Sequence, residues 1–162
     1  MNLPRRKAGG LDQSHFISQN IATLVMKLDK CHIGDIVEKL KNEVLGLNLR
    51  FDGEMIVQKA KKDVEIYQIP PSSNFGSIQK MAEWATDVHR PIVKRQLGTL
   101  GYNDDTIIIA LNHGVCDGKY IAGIATYIGD KQKDLHNNYF PVPFDDEFKE
   151  ELEERKKSPP SY

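Results

Sequence analysis

The run Thr106-Ile107-Ile108-Ile109-Ala110-Leu111 constrains the fold more than any other feature of the chain. Such a continuous apolar run reads as a strand, and its place is expected to be central in a sheet. The rest of the sequence supplies the neighbours. Ile21 to Leu28 alternates, with Ala22, Leu24, Met26 and Leu28 on one side, and reads as a half-covered strand. Asp29 is placed to cap a helix whose apolar residues Ile33, Ile36, Val37, Leu40 and Val44 recur at helical spacing, and Gly46 is placed to end it. Asp52-Gly53 between Leu49–Phe51 and Glu54–Gln58 predicts a hairpin with both residues at its turn. Val64 to Gln68 predicts a further strand. A helix from Ile78 carries Met81, Ala82, Ala85 and Val88 on one face and is limited by Pro91. A last helix carries Ile121, Ile124, Ala125 and Ile128. The expected class is α/β, an α+β two-layer arrangement of a mixed β-sheet with helices packed on it.

Composition bounds what such a domain does. The 162 residues suffice for one domain with one core. Twenty-two Lys and Arg against 23 Asp and Glu leave a net charge of −1, which excludes a basic nucleic-acid footprint over the whole chain. No apolar run approaches the roughly 20 residues that span a bilayer. The basic residues of the first ten positions have no apolar stretch behind them, so they do not read as a secretory signal. With Cys31 and Cys116 as the two cysteines, reduced thiols and a cytoplasmic location are expected. Residues 1–15, broken by Pro4, Gly9 and Gly10, are expected to be a mobile lead-in; residues 16–143 form the folded unit. Residues 144–162, dense in charge from Asp145 to Lys157, read as a surface helix or linker.

Chemistry is concentrated where the central strand ends, at Asn112-His113-Gly114-Val115-Cys116-Asp117-Gly118. A strand end holds a side chain rigidly while leaving its tip at the rim of the sheet. Histidine there is a natural proton acceptor, since its ordinary pKa is near neutrality. Asp117, four residues on, is suited to cap the following helix and to pair with an arginine. Gly118 would permit tight packing or an unusual backbone angle.

This segment resembles the HHxxxDG motif of the acyltransferases with the chloramphenicol acetyltransferase fold, a superfamily that includes alcohol acetyltransferases and the condensation domains of peptide synthetases. The opening is similar too: Leu28-Asp29, an amphipathic helix, then Leu47-Asn48-Leu49-Arg50-Phe51. The resemblance extends to about Pro143 and is nearest to the N-terminal lobe of alcohol acetyltransferase-like proteins. It implies one lobe of that fold, with His113 as the general base. Acyl-CoA or another thioester would be the co-substrate and an alcohol or amine the acceptor, with no bound cofactor. Asp117 inherits a structural role, Arg50 is its candidate partner, and Asn112 stands where the first histidine of the pair would be. The chain ends about where one lobe of a two-lobed enzyme would. A half enzyme is therefore expected, completed by a second lobe or by self-association.

Plainer readings compete. His113 could simply bond to backbone at a strand end, and the whole chain could be a non-catalytic interaction or thioester-binding module. It could also be part of a longer two-lobed acyltransferase. Cys116 is better read as a small buried residue than as a nucleophile. Cys31-His32 and His113-x-x-Cys116 lack the spacing of a zinc site, so no metal is expected. Trp84, Phe75 and Tyr102 read as packing residues.

Overall fold

The computed structural model describes residues 5–7, 20–28, 33–116 and 118–131. Its main sheet has the order β2 (Ile21–Lys27), β7 (Thr106–Asn112), β6 (Gly98–Tyr102), β5 (Ile66–Gln68). The first three are antiparallel, and β5 runs parallel to β6. A smaller antiparallel sheet has the order β1 (Arg5–Lys7), β4 (Met55–Gln58), β3 (Leu49–Phe51). Arg5–Lys7 thus form a strand within the stretch expected to lack regular structure. Asp29, Cys31 and the segment 144–162 lie outside the described residues.

Helices cover both faces of the main sheet. On one side α1 (Ile33–Glu43) and α3 (Gly118–Lys131) bury Ile36, Leu40, Ile124, Tyr127 and Ile128 against Leu100, Ile107, Ile109 and Leu111. On the other, α2 (Ile78–His89) sets Met81 and Ala85 against Ile69 and Ile108. Every residue of β7 is buried, because the strand has neighbours on both edges and a helix layer on each face. The mixed α/β class holds, and α2 adds a third layer to the two expected. Tyr127, which is fully buried, joins the expected face of α3. Val88, expected on the apolar face of α2, is 59% exposed.

Local chemistry accounts for the turns. Gly53 takes a φ of 108°, open to a residue without Cβ. Asp52 precedes the turn centre rather than sharing it: its Oδ1 accepts from the N–H of Glu54 (2.9 Å) and of Met55 (2.7 Å). The end of α1 is closed by Asn48, not by Gly46. The Asn48 side-chain amide donates to the carbonyls of Lys41 (3.0 Å) and Val44 (2.9 Å), at a helix end where carbonyls run short of partners; Val44 O also accepts from the Leu47 N–H (3.2 Å). Gly46 instead lets the chain pass close to Leu111 and Val115.

Candidate active site at the exit of the central strand

β7 ends at Asn112 and the chain turns at once into a single 3-10 turn, His113–Val115. Asn112 is 1% exposed, and its backbone N–H donates to Leu97 O (2.8 Å). Its side-chain Oδ1 accepts from the N–H of Gly114 (2.8 Å) and so caps the turn. The His113 N–H donates to Asn20 O (2.8 Å), and the Cys116 N–H reaches His113 O (3.5 Å). The backbone of His113 is therefore tied to Asn20, just ahead of β2, and to its own turn, while the residue itself is exposed.

Below the turn, Val115 packs on a small cluster of Leu49, Phe51, Ile56, Leu97 and Val93. The short sheet thus props up the His113 segment. Cys116 is buried and unbonded to another cysteine, as the packing reading expected. Among the described residues, no group of three or more His, Cys, Asp or Glu side chains is placed to hold a metal ion.

The other residues of the motif are placed differently. Asp117 lies outside the described residues. Gly118 begins α3, and a Cβ there would meet nothing within 4 Å among the described residues, nor is its φ positive. Arg50 sits between Leu49 and Phe51 on β3, so strand alternation turns it away from the cluster beneath Val115. It lines a groove of about 400 Å³ with Lys59, Asp63, Glu65, Lys94 and Arg95. Burial lowers the Lys59 amine from its ordinary value, opposed by Glu65 and Asp63 and reinforced by Arg95 and Arg50.

Sequence reasoning missed a second concentration of polar chemistry beside that groove. Gln96, 3% exposed, uses its amide as a detached peptide group. Nε2 donates to Glu65 O (3.1 Å) and Gly98 O (2.9 Å), while Oε1 accepts from Glu65 N (2.9 Å) and Lys59 Nζ (3.0 Å). It straps the entry to β5 onto β6. Next to it Tyr67 lies flat over Gly101, where a Cβ would come within 2.1 Å of the ring. Tyr67 stacks on His89 with centroids 3.8 Å apart, and Trp84 meets both rings edge-on. Burial raises the Tyr67 phenol above its ordinary pKa and lowers that of His89. No periodicity signals a buried glutamine of this kind. Gln96 stands two residues ahead of β6, outside any periodic segment.

No family model and no curated protein sequence matches the chain. Solved structures do. The EpoB NRPS cyclization-docking bidomain from Sorangium cellulosum is similar with a TM-score of 0.59 and 15% identity, over 96% of this chain and 36% of that one. The condensation domain that mediates chain release from the enacyloxin polyketide synthase matches with a TM-score of 0.53 and 13% identity, over 75% of this chain and 29% of that one. The epimerization domain from the third module of tyrocidine synthetase B matches at 0.52 and 12% identity, over 99% and 47%. At these identities the likeness is one of fold: a mixed α/β unit of the kind found in condensation-type domains. The chain spans less than half the length of each of these structures. No helix among the described residues is long and apolar enough to cross a membrane.

Proposed function

We propose that this chain is a lobe of a thioester-dependent acyltransferase in which His113 is the general base. The observation that carries the reading is the exposed His113 at the exit of a fully buried central strand, its backbone held by Asn20, just ahead of β2, and by the Asn112 cap. The fold shared with condensation-type domains supports the same reaction class. In the proposed step a ring nitrogen of His113 takes the proton of an acceptor hydroxyl or amine as that atom attacks the thioester carbonyl. The new C–O or C–N bond forms, the C–S bond breaks, and the imidazolium returns the proton to the departing thiolate. The thioester is already activated, so no metal or prosthetic group is required of the protein. The base supplies about 10²- to 10⁴-fold of the rate, and positioning supplies most of the remainder.

A thioester must also be shielded from water during transfer, and one lobe offers one wall. The proposal therefore includes a second lobe or a second copy of the chain facing His113. The alternative, a non-catalytic thioester-binding module, predicts binding without turnover. Acyl-CoA turnover with His113→Ala and His113→Gln, measured alongside light scattering, decides between them. A fall of about 100-fold or more with the fold retained supports the base. Equal turnover in a folded variant refutes it.

A further inference from the structure

A cleft of about 280 Å³ opens between the C-terminal end of α2, the start of β5 and β6, and the loop that joins α2 to β6. It is separate in character from the His113 turn, none of whose residues line it. Three features set the chemistry of an occupant.

First, two residues whose hydroxyls are buried line it. Thr99 and Gly101 share the face of β6 turned toward α2, and the Tyr67 ring lies over Gly101. Tyr67 Oη and Thr99 Oγ1 are both inaccessible to solvent, and neither has a hydrogen-bond partner among the described residues. Burying a hydroxyl without a partner costs about 1–3 kcal/mol, so two in one cleft mark a place that a polar group would complete. Second, its rim is apolar and aromatic: Val88 (59% exposed), Ile92 (57% exposed) and the His89 ring stacked on Tyr67. Exposed Val and Ile side chains beside a concave aromatic surface suit a flat apolar body. Third, the field is positive. Arg90 and Arg95 line the cleft with Glu65, and the adjoining groove adds Arg50, Lys59 and Lys94 against Asp63. Arg95 is paired with Glu65, and among the described residues five cations around two carboxylates still leave an excess of positive charge that favours an anion.

We propose that this cleft binds a small aromatic carboxylate bearing a polar substituent opposite the acid group. The carboxylate faces the arginine side, the ring lies against Val88, Ile92 and His89, and the substituent meets the hydroxyls of Tyr67 and Thr99 once those two side chains shift to expose them. This binding is independent of the chemistry assigned to His113.

The probes are 4-hydroxybenzoate, benzoate and neutral 4-hydroxybenzyl alcohol, titrated by calorimetry into the 162-residue chain. The indole N–H resonance of Trp84, the single tryptophan, reports on the site through its edge contacts with Tyr67 and His89. The expected order is 4-hydroxybenzoate tightest, with benzoate weaker by roughly five- to tenfold for the lost hydrogen bonds and the neutral alcohol weaker still. Tyr67→Phe and Thr99→Val remove the unpaired hydroxyls without removing packing, so both variants fold. Each should lessen the preference for 4-hydroxybenzoate over benzoate, and the double variant should abolish it. No binding at millimolar concentration overturns the proposal. So does a preference that survives in the double variant, or a neutral alcohol that binds as well as the acid.

Discussion

Replacing Gln96 by alanine tests how the sheet edge beside the cleft is held. The native amide satisfies three backbone groups, Glu65 N–H, Glu65 C=O and Gly98 C=O, and also receives Lys59 Nζ. Each neutral bond is worth about 1 kcal/mol net, so the three together are worth about 3 kcal/mol. Two corrections oppose each other. Glu65 is an exposed residue, so water can reach part of its backbone once the amide is gone. Gln96 itself is 3% exposed, so its removal also leaves a buried void. Lys59 keeps its bond to Arg95 O (2.9 Å) and adds little to the loss. The expected destabilisation of Gln96→Ala is therefore about 3 kcal/mol, a fall in melting temperature of roughly 6–12 °C for a chain of this size. Circular dichroism melts measure it, and hydrogen exchange at the Glu65 amide localises it. Gln96→Glu sharpens the test. The isosteric carboxylate can still accept from Glu65 N–H and Lys59, but it turns an oxygen toward the two carbonyls. Protonation restores a donor, so this variant's folded pKa is raised, and its deficit is relieved as pH falls through that value. A Gln96→Ala protein melting within about 2 °C of the parent, with the Glu65 amide still protected, refutes the strap.

Two further outcomes follow from the site and its surroundings. A double-mutant cycle of Asp117→Asn and Arg50→Gln measures the pair that the motif resemblance implies; coupling of about 1 kcal/mol or more supports it, and effects additive within about 0.5 kcal/mol assign Arg50 to its groove alone. His89, which faces Tyr67, Trp84, Arg90, Arg95 and Glu65, has a folded pKa held below its ordinary 6.5 by burial. The unfolded chain then binds the proton more readily, so the His89 contribution is complete above pH 6.5 and is lost as pH falls from there to the folded value. Trp84 fluorescence should report the titration with a midpoint below that of a free histidine, and His89→Gln should remove it. A midpoint at or above the ordinary value contradicts the burial argument.

How much of this was readable in the residues depends on the range of the interaction. The six-residue run from Thr106 named its own central place, because a strand without polar alternation suits the middle of a sheet. The buried faces of α1 and α3, and most of that of α2, followed from spacing, since side chains three and four apart share a side of a helix. Val88 broke the pattern because α2 ends where the cleft opens. The place of His113 was legible for the same local reason: whatever follows a buried strand emerges at its rim. Its rigidity was not, for the bond from its N–H to Asn20 O spans most of the chain. Gln96 reaching Glu65, Tyr67 lying over Gly101 and Arg50 turning into a basic groove also join residues far apart in sequence. The sequence alone therefore determined the helices, their buried faces and the exit of the central strand, through periods of two and 3.6 that any segment carries within itself, but not the third layer that α2 adds. Only the tertiary structure decided which polar side chains meet across the sheet, because a hydrogen bond between distant residues has no period to leave in the sequence.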